Sequence, residues 1–344
     1  NALTAVSLAF PIQLLMIAVA TGLGVGINSL ISRKLGQKRA EEAREAARCG
    51  MLLELCGFVV FLLFGLLGSH SFFHVFTPDP ELQQMAGDYL RIVTVFSFGL
   101  FLSISFERMM QATGNTMLSM TTQLTGAVIN IILDPIMIFG LLGTPQMGVA
   151  GAAWATVLAQ VVSGLLCVGY ILNKQPLLRP HAKDWKLGFK DIWKPMRIGL
   201  PMGFQMSVIA VGAIILQAAL NSLGPLAVAA YTAAQKIDMV AVLPMMSFGL
   251  AMATYTGQNY GARNLERIRQ GVRQCCFMSV GFSIAIAVVN ITGGHHLIAL
   301  FVGGGQERVI EMGQTYLEIS GCMYWVLALL FISRNPLQGL GQSL

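Results

Sequence analysis

Apolar residues in this chain fall into nine long blocks, roughly 5–32, 49–69, 90–113, 119–142, 147–172, 196–221, 226–258, 272–291 and 315–340. Each block reaches the ~20 residues that a helix needs to cross a bilayer. The blocks are solidly apolar and do not alternate, which predicts spanning helices and argues against a closed barrel. The expected fold is therefore all-α and polytopic. Polar residues collect in the connections, and their charge is sided. The first connection, SRKLGQKRAEEAREAAR, carries Arg33, Lys34, Lys38, Arg39, Arg44 and Arg48, and the seventh carries Arg263, Arg267, Arg269 and Arg273. The fifth, NKQPLLRPHAKDWKLGFKDIWKPMR, is basic as well, whereas the second, fourth and sixth hold no Lys or Arg. Of the 22 basic residues, all but Arg91, Lys236 and Arg308 fall on one side. Cytoplasmic connections carry excess Lys and Arg, so the basic loops are expected in the cytoplasm and the chain in the cell membrane.

The pattern repeats. Ala5–Arg48 aligns without gaps onto Ala230–Arg273, an offset of 225 that pairs Ile12 with Ile237, Gly24 with Gly249 and Gly36 with Gly261. Farther on, YLRI at Tyr89 meets YLEI at Tyr316, and QATGN (Gln111–Asn115) meets QGLGQ (Gln338–Gln342), both at an offset of 227. An even number of spans separates the copies, so they share one topology about an axis along the membrane normal, an arrangement common in transporters. The repeat predicts two pseudo-symmetric lobes of six helices each. Nine of the twelve fall within the chain; the first helix of the first lobe and the last two of the second are expected outside it. The expected divisions are an N-terminal lobe at 1–173, a cytoplasmic linker at 174–195 and a C-terminal lobe at 196–344. In the linker Trp185, Phe189, Ile192, Trp193 and Met196 recur at helical spacing between lysines, which predicts an amphipathic helix on the inner membrane surface.

Composition sharpens this picture. The chain is 55% hydrophobic and 11% charged, with mean hydropathy +0.67, against about 25% charged residues in a soluble domain. The net charge of +6 is explained by its sidedness, so no nucleic-acid partner is expected. The six cysteines lack ligand-like spacing, which predicts free thiols and no metal site of their own. The 19 Phe and 19 Met serve packing and lipid contact, a minority of them lining a soft cavity that accepts apolar cations.

One stretch breaks the apolar rule. INIILDPIMIFG (Ile129–Gly140) places Asp134 and Pro135 inside the fourth block. Asp134 lies ~16 Å along the helix from the short connection near Pro145, about the middle of the hydrocarbon core. A carboxylate at that depth costs ~2.5–3.5 kcal/mol on insertion scales. Gln123, Ala127 and Asn130 share its helix face. On the next helix, returning antiparallel, Thr156 falls level with Asp134, Gln160 falls level with Asn130, and Ser163 continues the stripe. Pro135 cannot donate to the carbonyl of Ile131 and favours a kink. Together these features suggest a cation- or proton-binding hinge, with Na+ one possible occupant and no other metal expected. The alternative is a neutral, structural Asp134 bonded to a neighbouring helix. Elsewhere, Lys236 either lines a cavity of the second half or snorkels, Asp238 is expected on a different face from Lys236, and Glu54, a turn into its block, reads as interfacial.

With these residues placed, the chain resembles the multidrug and toxic compound extrusion (MATE) family. The resemblance rests on AVSLAFPI, the glycine-rich run before SRKLG, QATGN, NIILDPIMIFG, GVAGAAWATVLAQ, RIGLP and TGQNYGA, which occur in that order along the chain. It implies twelve helices in two lobes and export of small amphipathic or cationic compounds in exchange for H+ or Na+, with no other cofactor and no enzymatic activity. It also implies an N-lobe site at Asp134, with Asn130 one turn earlier, Thr156 on the next helix and a second aspartate on a helix preceding this chain. A glutamate carried by another branch of the family has no equivalent in GLPMGFQMSVIAVGAIILQ, which leaves the coupling ion open. The expected partners are small amphipathic molecules and the lipid bilayer, with the protein a monomer. Competing readings are a flippase for lipid-linked precursors, which needs a basic cavity, an intramembrane aspartyl protease, which needs two acids sharing a proton, and a channel.

Overall fold

The computed structural model describes residues 2–73, 79–174, 189–303 and 306–342. Its described elements are helical. In chain order they are α1 (Ala2–Gly36), α2 (Ala40–Leu67), α3 (Ser69–Phe73), α4 (Pro80–Val95), α5 (Phe98–Ala112), α6 (Thr116–Phe139), α7 (Gly148–Lys174), α8 (Phe189–Ser222), α9 (Pro225–Gly261), α10 (Leu265–Val302) and α11 (Glu307–Gly339). Among the described residues, eight helices are long and apolar enough to cross a membrane, and α4 with α5, bent by 43°, makes a ninth if the pair is one span. The nine apolar blocks are thus the nine spans. The third block differs in detail. Its helix begins at Pro80, ten residues before the apolar run, because Asp79 accepts hydrogen bonds from the Glu81 and Leu82 amides, at 3.0 and 3.5 Å, and Pro80 occupies the first turn. That is a side-chain cap followed by a residue whose missing N–H costs nothing there. The bend falls at Phe96–Ser97, where Ser97 Oγ donates to the Thr94 carbonyl at 2.8 Å.

The described residues divide into two compact units, one up to Ser207 and the other Val208–Gln342. The division falls inside α8, beyond the boundary expected from the linker, since the start of α8 packs on α1. Two small-residue pairs make that contact: an added Cβ on Gly22 would meet the Gly199 carbonyl at 2.8 Å, and one on Gly26 the Pro195 carbonyl at 2.3 Å. Helices in lipid gain little from hydrophobic burial, so close backbone approach through small residues holds them. The amphipathic helix expected in the linker falls largely outside the described residues, and Phe189–Met196 form the first turns of α8.

The repeat is visible in the backbone of both units. The turn between α1 and α2 places Lys38 in the left-handed region at φ 59°, and the turn between α9 and α10 does the same with Arg263 at φ 58°. Their hydrogen bonds match: Lys38 N–H donates to Leu35 O at 2.9 Å and Arg263 N–H to Tyr260 O at 3.0 Å. Side-chain crossings match too. In the first unit α1 carries Gly24, where a Cβ would sit 2.7 Å from Arg108 Cγ, and in the second α9 carries Gly249, where it would sit 1.9 Å from Asn335 Nδ2. Arg108 and Asn335 occupy equivalent positions at the offset of 227. Glycine at these two positions lets a long polar side chain of α5 or α11 cross the neighbouring helix.

Candidate functional site

In the first unit α6 and α7 lie side by side, as their short connection requires. Gly126 on α6 permits close approach, since a Cβ there would sit 3.1 Å from Ser163 Cβ. Ser163 Oγ also donates to the Thr122 carbonyl at 3.0 Å and fixes the depth of one helix against the other. This register brings the two polar stripes onto one cavity of about 240 Å³, lined by Gln123, Asn130, Thr156, Gln160 and Ser163, with Ser103 from α5. Gln123, Asn130, Thr156 and Gln160, separated in sequence by up to 37 positions, therefore meet as expected from their depths.

Asp134 lies one turn beyond this cavity, half-buried, and accepts a hydrogen bond from Asn130 Nδ2 at 3.4 Å. Thr156 does not reach it: its Oγ1 donates to Ala152 O at 3.0 Å, in its own helix. The helix runs unbroken through Pro135 from Thr116 to Phe139, so this residue removes a backbone donor without ending the helix. The Asp134 carboxylate also acts electrostatically on Tyr89 of α4, whose hydroxyl donates to Gln13 Oε1 of α1 at 3.4 Å. Gln13 and Tyr89 were not singled out in the sequence. Lys236 is exposed on α9 of the second unit. Among the described residues no group of three or more His, Cys, Asp or Glu side chains is arranged to hold a metal ion. The polar groups that meet at this point are the Asp134 carboxylate and the Asn130 amide.

The second unit holds a polar cluster that the sequence did not reveal. Asp238 of α9 accepts a hydrogen bond from Tyr324 Oη of α11 at 2.7 Å. Asn290 Nδ2 of α10 donates to the same hydroxyl at 3.0 Å. Tyr231 and Tyr316 stack edge-on at 5.4 Å, and both sit in the field of Asp238. The repeat carried a usable signal: at the offset of 225 Asp238 occupies the position of Gln13, and at 227 Tyr316 occupies that of Tyr89. One copy pairs a tyrosine with an amide where the other sets one beside a carboxylate.

A duplicated helical membrane fold with polar side chains and carboxylates held among its spans is the kind of architecture that transport proteins use. The MatE family profile matches residues 1–136 and 201–344, and the chain belongs to this family of membrane transporters. The probable multidrug resistance protein YoeA of Bacillus subtilis (strain 168) is 24% identical over 305 residues, covering 88% of this chain and 66% of that protein. The multidrug export protein MepA of Staphylococcus aureus (strain N315) is 23% identical over 342 residues, covering 99% and 74%. A crystal structure of MATE in complex with MaL6 shares the fold with a TM-score of 0.93 at 24% identity, over 99% of this chain and 76% of that one. The chain thus spans about two thirds to three quarters of the length of these proteins.

Proposed function

We propose that the protein is a secondary active exporter of small amphipathic or cationic compounds, driven by inward movement of H+ or Na+. The observation that carries this reading is the α6–α7 pair: one carboxylate, Asp134, beside an uncharged polar cavity, in helices otherwise made for lipid. A gradient acts on a transporter only through a group whose ion occupancy differs between its two conformations. Asp134 is that group in this reading. Asn130 orients its carboxylate, and Gln123, Thr156 and Gln160 supply polar lining that tolerates both an occupied and an empty state. Pro135 leaves the Ile131 carbonyl without its helical donor, which weakens the helix next to Asp134 and favours bending there. The basic turns face the cytoplasm, and the named functions of YoeA and MepA agree with drug export.

A flippase for pyrophosphate-linked lipids is disfavoured, because the cavity lining contains no Arg or Lys. The test is transport in proteoliposomes under an imposed pH or Na+ gradient. Asp134→Asn keeps the size and polarity of the side chain but removes its exchangeable charge. The variant is expected to insert, fold and bind substrate, yet to lose uphill efflux. Wild-type pumping by this variant would make Asp134 structural.

A further inference from the structure

The two copies of the repeat treat the same basic helix start differently. In the first, Arg44 of α2 pairs with Glu41 at 3.0 Å, and Glu42 holds both Lys34 and Arg39, the latter at 3.0 Å. Arg48, one turn farther on, is buried. At the offset of 225 Arg44 and Arg48 become Arg269 and Arg273 of α10, whereas the acids Glu41, Glu42 and Glu45 become Glu266, Arg267 and Gln270. The acid that remains, Glu266, accepts a hydrogen bond from Gln270 Nε2 at 3.4 Å. Arg269 and Arg273 are both exposed. Among the described residues neither forms an ion pair. Four residues apart, they share one face of α10, with Cβ atoms ~5–6 Å from each other.

Both arginines border a cavity of about 550 Å³ on the second unit. The rest of its wall is mostly apolar and includes Ile268, Val272 and Phe277 of α10 and Leu340 beyond α11. The Arg273 guanidinium lies 6.0 Å from the centre of the exposed Phe277 ring, a contact that steadies the side chain and leaves its charge in place. Tyr260, also exposed, stands at the same end, as aromatic residues do where a membrane meets water. Helix α10 has 38 residues, ~57 Å of helix against a hydrocarbon core of ~30 Å. Its first turns therefore stand among lipid headgroups, with Arg269 and Arg273 ~6 and ~12 Å from the helix start.

Charge, depth and wall select one kind of occupant. Two exposed guanidiniums match the free oxygens of a phosphate diester, which arginine binds in bidentate fashion. The apolar wall suits acyl chains. From Arg263 to Arg273 the chain sets four arginines against one glutamate, which favours a lipid of net negative charge over a zwitterionic one.

We propose that this groove binds an anionic phospholipid, with Arg269 and Arg273 holding its phosphate diester and the apolar wall its acyl chains. In the orientation proposed above, the lipid comes from the cytoplasmic leaflet. The first copy offers no such site, because Glu41 and Glu42 already hold its cations.

The probe is phosphatidylglycerol, titrated into the purified protein in detergent, with bound lipid counted by native mass spectrometry. Neither membrane orientation nor ion coupling at Asp134 enters this measurement. Arg269→Gln is expected to weaken binding roughly fivefold, and Arg269→Gln with Arg273→Gln at least about tenfold. The charge-matched pair Arg263→Gln with Arg267→Gln is expected to cost about twofold at ~0.15 M salt. Equal losses in the two double variants would mean diffuse surface charge and overturn the proposal, as would equal binding of phosphatidylcholine. Should the Arg269 and Arg273 variant fail to fold, a photoreactive phosphatidylglycerol on the wild-type protein decides. It is expected to label the peptide 260–277. Labelling confined to other helices, or a groove closed to the lipid by another segment of the chain, overturns it.

Discussion

The two units each hold an aspartate among their spans, and they treat it in opposite ways. Asp238 is tied across three helices, by Tyr324 of α11 directly and by Asn290 of α10 through the same hydroxyl. Asp134 receives a single long hydrogen bond, from Asn130 of its own helix, and borders an open polar cavity. A carboxylate bonded at 2.7 Å by a buried phenol of another helix is held firmly in place. A carboxylate bonded at 3.4 Å within one helix keeps lone pairs for an arriving ion. The first arrangement ties helices together; the second, in the proposed function, leaves occupancy free to change.

The largest expected effect is at the free carboxylate. Asp134→Asn is expected to reduce gradient-driven efflux to the level of empty liposomes, whereas Asp238→Asn, which can still accept the Tyr324 hydrogen bond, retains coupling. Loss of coupling in both would abolish the distinction drawn here. Next comes Tyr324→Phe, which strands a buried amide, Asn290, and a half-buried carboxylate, Asp238. It is expected to cost ~1–3 kcal/mol, seen as a lower melting temperature in detergent, with the driving-ion dependence of efflux unchanged. Asn130→Ala removes an orienting neighbour and not the charge, so coupling is expected to weaken several-fold at most, read as the ratio of ion to substrate flux; a loss equal to that of Asp134→Asn would make Asn130 a ligand in its own right. The smallest change is expected from Pro135→Ala. Restoring the donor to the Ile131 carbonyl stiffens α6 and is expected to slow turnover while ion binding stays near normal. Unchanged turnover would remove Pro135 as a hinge.

These differences were unequally legible in the sequence. The spans could be read because an apolar block of ~20 residues has few alternatives to a membrane helix. The stripe of Gln123, Asn130, Thr156 and Gln160 could be read because a short connection fixes the depth of one helix against the next. Asn130 and Asp134 are four apart, a spacing that places them together on any helix. The Asp238–Tyr324 bond joins residues 86 positions apart, and no local period reports such a contact. The burial of Glu54 depends on α1 and α5 lying against α2, which hydropathy along α2 does not encode. The early start of α4 rests on Asp79 and Pro80, a capping signal set in a stretch too polar to attract notice as a span.

The matched turns of the two copies carry a consequence for how this chain is oriented and for how it can be improved. Backbone geometry is the same at GQKR (Gly36–Arg39) and GARN (Gly261–Asn264), but the last residue has a different task in each. Asn264 caps α10, its Oδ1 accepting from the Arg267 amide at 3.1 Å, while Arg39 provides no side-chain cap for α2. The second turn uses that position to fasten a helix end. The first uses it for a positive charge, which in the proposed orientation adds to the basic residues of the cytoplasmic face. The two turns are interchangeable parts, so Arg39→Asn transplants the fastening at the expense of an exposed ion pair with Glu42, at 3.0 Å. Such caps contribute ~1 kcal/mol and exposed pairs less, so the transplanted turn is expected to raise the melting temperature slightly while weakening the signal that orients insertion.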